Sequence, residues 1–127
     1  MKILLIIMLA AFAYGCTVEP APLAYGTDMC HTCKMTLMDP KFGAEIVTKK
    51  GKVYKFDDVN CMLGFYHSDF ESQGEIAHLL VVNFAQPTKL IDATNSWYLK
   101  SELIRSPMAS GIAAFATEEE YSLYKNE

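Results

Sequence analysis

The 127-residue chain predicts an α+β fold of two small strand-strand-helix lobes with antiparallel hairpins, and three observations lead there. Between Phe42 and Thr48 the side chains alternate, with Phe42, Ala44, Ile46 and Thr48 on one face and Glu45 and Lys49 on the other, which is the period of a strand. Val59, Met62, Leu63 and Tyr66 then fall at i, i+3, i+4 and i+7, one stripe of a helix. A strand also leads into a helix twice, through Phe56-Asp57-Asp58 and through Phe115-Ala116-Thr117, each time downstream of a methionine-bearing loop at Met35 or Met108. Two lobes of that kind bury their apolar faces against each other.

Taken in order, residues 1–15 read as a signal segment, with Lys2 as its positive end and Ile3 to Ala13 as an apolar core too short to span a bilayer. Tyr14-Gly15-Cys16 closes it as a bacterial lipoprotein signal closes, with the Cys16 thiol taking the lipid. Residues 16–25 contain Pro20 and Pro22 and no periodicity, and are expected to be a lipidated tether. The body is then 26–127, dividing into lobes 26–76 and 77–127.

Met35 to Leu37 forms a short extended segment stopped by Asp39-Pro40. The strand to Thr48 turns at Lys50-Gly51 and returns over Lys52 to Phe56. Asp57 or Asp58 caps a helix that ends near Ser68. Beyond a polar turn at Glu71 to Glu75, His78 to Phe84 is an apolar strand broken by Gln86-Pro87. Lys89 to Ile91 extends, Asp92 caps a turn, and Trp97 to Leu99 is another strand. Pro107-Met108 sits in a loop before the strand Gly111 to Phe115, and Thr117 with Glu120 makes a capping box for a last helix through Tyr124.

The formal net charge is −4, and it becomes more negative once Lys2 is removed. The densest basic run, Lys49-Lys50-Gly51-Lys52, is explained by the hairpin turn, so nucleic acid is not an expected partner. No metalloprotease, nucleophile-elbow, phosphate-loop or dinucleotide motif occurs, so no catalytic residue and no small-molecule substrate are expected.

The chemistry concentrates in sulfur. Asp28-Met29-Cys30-His31-Thr32-Cys33-Lys34-Met35 places two thiols, an imidazole and two thioethers within eight residues. Soft sulfur donors select Cu(I), zinc or iron–sulfur, and thioethers tilt the choice towards Cu(I). Cys30, Cys33, Met35, Cys61 and Met108 are the candidate metal ligands, with His31 as an additional imidazole. Cys61 falls in the first turn of its helix, where the dipole favours thiolate. Pro40 argues against the long helix that follows a thioredoxin-type or ferredoxin-like Cys-x-x-Cys, and Lys34 occupies the place a c-type haem site gives to His. A zinc site from the three body cysteines and one His, a Cys30–Cys33 disulfide in a zinc- or disulfide-stabilised interaction module, and a thiol–disulfide oxidoreductase remain open on these residues.

In sequence the chain resembles the NosL family, the copper-binding accessory lipoproteins of nitrous oxide reductase maturation. The matching residues are Asp28 with Cys30-His31-Thr32-Cys33-Lys34-Met35, Phe56-Asp57-Asp58 with Cys61-Met62, Leu90-Ile91-Asp92-Ala93 with Trp97-Tyr98, Pro107-Met108, and Ala114-Phe115. The resemblance implies a NosL-like pair of α+β lobes in a lipoprotein of the bacterial envelope. It would be anchored through Cys16, facing the periplasm, with the outer membrane as the expected site. It also implies Cu(I) delivered to copper-enzyme maturation proteins or to nitrous oxide reductase, during assembly of its copper–sulfide centre. Two positions depart from many relatives: Lys34 stands where they have Gly, and Glu102 where they carry His.

Overall fold

A computed structural model describes residues 18–70 and 73–127. The expected signal segment and Cys16 lie outside the described residues. No helix among the described residues is long and apolar enough to cross a membrane.

The first hairpin forms as its alternation dictates. Strand β1 (Ala44–Thr48) pairs antiparallel with β2 (Val53–Phe56), with Ala44 opposite Phe56. The turn is closed by the Thr48 amide on the Lys52 carbonyl, and Gly51 takes a positive φ of 88°. Helix α1 (Val59–Asp69) follows and buries Cys61 and Met62, whereas Leu63 of the expected stripe is exposed. The buried side is completed by Phe65, which joins Tyr54, Phe56 and Phe70 in an aromatic cluster.

Strand β3 (Ile76–Val82) pairs with the free edge of β1, and β4 (Leu90–Asp92) pairs with β3, giving the antiparallel order β2-β1-β3-β4. Residues 77–92 therefore pair into the larger sheet, and the lobe division expected at 76 and 77 moves past β4. The cause is the composition of β3, an apolar run that an edge position would leave unpaired on one side. The second lobe is the hairpin of β5 (Trp97–Lys100) and β6 (Ile112–Phe115) with helix α2 (Glu118–Lys125). The capping box forms as expected, with the Thr117 hydroxyl accepting the Glu120 amide. The Glu120 carboxylate reaches back to the side chains of buried Asn83 and of Gln86, which fastens α2 to the end of β3.

Two expectations are corrected by the outer face of the sheet. Glu45, assigned to the polar face of β1, is fully buried: its Oε1 accepts the Ala21 amide at 2.8 Å and its Oε2 has no partner. Burial holds its carboxyl above the usual range. What covers it is the segment expected to be a tether. Leu23 is buried, the Val18 carbonyl meets His78 Nε2 at 3.2 Å, the Pro22 carbonyl accepts from Lys55, and the Tyr25 hydroxyl donates to the Phe42 carbonyl at 2.7 Å. Residues 18–25 thus belong to the folded body, because they cover the face of the sheet that carries Glu45, Lys55 and His78.

Gly43 allows that cover to seat. It has φ 137°, and a Cβ there would stand 2.6 Å from Leu23 Cδ1 and 3.2 Å from the Tyr25 hydroxyl. Gly43→Ala is expected to lift this segment and to cost about 2 kcal/mol in chemical denaturation. An unchanged midpoint, with amide exchange of residues 18–25 also unchanged, would show that the segment is not held this way.

Candidate metal site

The Cys30 loop is a tight turn with no helix behind it. Met29 bridges Thr36, the Cys30 amide donates to the Met35 carbonyl at 2.8 Å, and the Lys34 amide returns to the Cys30 carbonyl at 3.0 Å. Closing so short a turn sets Lys34 at φ 64°, the left-handed region where a side chain costs roughly 1 kcal/mol or more. The loop is fixed on both sides: the His31 amide donates to the Lys55 carbonyl of β2, and the Thr32 hydroxyl donates to the Cys61 carbonyl of α1.

These contacts bring three sulfurs and one carboxylate together. The donor atoms of Cys30, Cys33, Asp57 and Cys61 all lie within 4.8 Å of one another, and no other such group occurs among the described residues. Cys30, Cys61 and Asp57 are buried, Cys33 is half-buried, and all three thiols are free. Cys33 donates its S–H to Asp57 Oδ2 at 3.4 Å, and the Cys33 amide points at Cys30 Sγ at 3.5 Å. Asp57 Oδ1 is buried without a partner. An unpaired carboxylate oxygen in a sulfur-lined interior is costly in water-free surroundings and is satisfied by a cation.

Burial disfavours the thiolate form of Cys33 and of Cys61. Burial pushes the Cys33 thiol up to about 11, with Cys30 and Asp57 adding to the shift against a backbone hydrogen bond from Met35. Burial also raises Cys61, reinforced by Cys30 and Asp57. The thiolate expected from the helix N-terminus therefore does not form, because desolvation and a neighbouring carboxylate outweigh the dipole.

Of the other expected ligands, His31 is not among these donors. His31 sets its ring edge-on to Tyr54, Phe56 and Phe65, at centroid separations of 4.8, 6.3 and 4.6 Å. It is thus part of the aromatic packing, and burial lowers its pKa, with Lys34 and Lys52 adding to the effect. Met35 contributes its backbone carbonyl to the turn while its side chain is exposed. Met108, partly exposed, is held by its backbone at the start of α1. Its amide donates to Asp58 Oδ2 at 3.0 Å, and the Asn60 side chain meets its carbonyl at 3.4 Å.

Asp58 has a different task from the one expected. It stands at the N-cap of α1 but makes no side-chain cap bond. Instead the buried carboxylate accepts the Met108 amide, the Ser110 amide at 3.5 Å and the Ser110 hydroxyl at 2.6 Å. Asp57 is the site residue that sequence reasoning missed. The signal was there in Asp57-Asp58, since a helix has one N-cap position and the second carboxylate needs another employment.

Comparison with known proteins follows the same outline. A family model described as NosL matches residues 23–127. Among solved structures, the crystal structure of the copper chaperone NosL from Shewanella denitrificans is similar in fold, with a TM-score of 0.71, 19% identity, and 87% of each chain covered. No curated protein matches the sequence.

Asp58→Ala should remove the loop's anchor, costing about 2–4 kcal/mol of stability. Asp58→Asn, which retains one acceptor, should cost less. Equal losses for both, with amide exchange of residues 106–111 unaltered in each, would dismiss this role.

Proposed function

Because the chain belongs to the NosL family, we propose that it is an envelope lipoprotein that carries Cu(I) and delivers it to a periplasmic copper enzyme. The expected client is nitrous oxide reductase during assembly of its copper–sulfide centre. The observation that supports this most is the convergence of Cys30, Cys33 and Cys61 on one point, beside a carboxylate oxygen with no partner. Cu(I) needs only two or three soft donors, and these thiols supply them.

Copper here is cargo. The thiols give up protons as the ion enters, and Asp57, which accepts the Cys33 S–H, is placed to receive one of them. Met35 and Met108 serve as thioethers at the rim, where an incoming ligand from the acceptor protein can attack before the old one leaves. Transfer is by ligand exchange between docked proteins, with no covalent step to catalyse. Anchorage through Cys16 keeps the carrier in the envelope. The raised thiols oppose the oxidoreductase reading, which requires a nucleophilic thiolate.

One feature favours a second reading. Asp57 completes a three-sulfur, one-oxygen set that suits tetrahedral Zn(II). Competition between Cu(I) and Zn(II) for the reduced protein separates the two. The copper reading expects Cu(I) to win and Cys30→Ser or Cys61→Ser to weaken it strongly. Asp57→Ala should lower Zn(II) affinity about 10- to 100-fold while leaving Cu(I) nearly as it was. Preferred retention of Zn(II), unaffected by Met35→Leu or Met108→Leu, would overturn it.

The pH dependence has a definite sign. Each thiol that binds as thiolate loses a proton, so apparent Cu(I) affinity should rise about tenfold per pH unit for each such thiol. The rise continues until the pH passes that thiol's pKa, which for Cys33 is about 11. Chelator competition at several values between about pH 6 and about pH 9 measures the slope.

A further inference from the structure

A groove of about 700 Å³ lies where the loop after β5 faces the end of β3, and no residue of the cysteine cluster lines it. Its floor is aromatic: the Phe84 ring stands edge-on to Phe42, Phe115 and Tyr124, with centroids 5.5, 5.8 and 5.3 Å away. Leu103 stands at its side, 83% exposed. Phe42 and Phe115 are buried in that floor, so the apolar surface it offers to solvent is carried by Leu103 and the partly exposed Phe84 and Tyr124.

The rim has the opposite sign to the protein. Lys41, Lys100, Arg105 and Lys125 surround the floor, four of the eleven cations in a chain of net charge −4, and Arg105 is its single arginine. Among the described residues the only ion pair joins Lys55 to Asp28, so none of the four is held in an ion pair. Glu127 lines the groove with them, and Glu102 lies in the adjoining depression. Lys41 and Lys125 instead sit over the rings of Phe84 and Tyr121, at 5.4 and 5.6 Å from the centroids.

We propose that this groove docks an acidic segment of a partner protein that carries an aromatic or branched aliphatic anchor. The anchor fills the aromatic floor beside Leu103, while the carboxylates meet the lysines and the guanidinium fork of Arg105. Position favours a protein over a lipid surface. The described chain enters at Val18, bonded to His78, six residues before Phe84 and so roughly 20 Å along the sheet from the groove. A body held from its N-terminal side therefore turns the groove away from the holding point. The loop that carries Leu103 and Arg105 also carries Met108, whose amide is bound by Asp58 next to Asp57. A segment seated in the groove thus contacts the same loop that Asp58 anchors. The inference stands on charge and shape, independently of which metal the cysteines hold.

The test titrates the full chain with three probes: a short fluorescent peptide of Phe and Leu among Asp and Glu, the same peptide with Lys for every acid, and phosphatidylglycerol vesicles. Expected are saturable, salt-weakened binding of the acidic peptide alone, and amide shifts centred on Phe84 and residues 99–105. Lys100→Glu combined with Arg105→Glu should weaken it roughly tenfold or more. Leu103→Ser, at a side chain whose exposure makes it harmless to folding, should weaken it separately. Cu(I) competition run in parallel reads the cysteine site on its own and should not change in these variants. Failure of the acidic peptide to bind, equal binding of the lysine peptide, indifference to either substitution, or preferential capture by vesicles would each overturn the proposal.

Discussion

The Asp58 carboxylate is fully buried, and removing such a charge from water costs several kcal/mol unless donors replace the solvent. Its donors come from 50 and 52 residues further on, the amide of Met108 and the amide and hydroxyl of Ser110. The aspartate can therefore be buried only when the loop of the second lobe is in place, and that loop finds its position only on the aspartate. This mutual requirement joins the hairpin of β5 and β6 to the start of α1. A parallel bridge between Asn83 and Ala114 and the Glu120 bonds to Asn83 and Gln86 make the same junction at the other end of the lobe.

Asp57 and Asp58 are neighbours turned to different work. One carboxylate holds the methionine loop and the other faces three thiols, so the chain positions a rim and a floor from a single strand-to-helix step. The site's acidity follows from where it is made. A thiol beside a carboxylate in a dry interior keeps its proton, and the metal must displace it. The cost of that displacement lowers the affinity of any ion that binds these sulfurs as thiolates.

The elements were legible because each carries its own period or cap. β1 and β2 show alternation and a Lys50-Gly51 turn, α2 shows its capping box, and Asp92 accepts the Thr94 amide as a turn cap. The three cysteines were legible as a group because little else occupies soft thiols in a small body. What sequence did not reveal is where two faces meet. Glu45 alternates like a surface residue yet lies beneath residues 18–25, and nothing local to β1 says that the preceding segment folds back over it. His31 sits among donors in sequence but among rings in space, since Tyr54 and Phe65 come from other elements. β3 reads as a strand, but its partner is chosen by the unpaired edge of β1.

Lys34 carries a consequence for the opening of its turn. A non-glycine residue at φ 64° stores on the order of 1 kcal/mol in the Cys30–Cys33 turn. Strain released when a turn opens favours the open form, and about 1 kcal/mol corresponds to a factor of about five in that equilibrium. A lysine at this position thus leaves the Cys30–Cys33 turn easier to open than a glycine would.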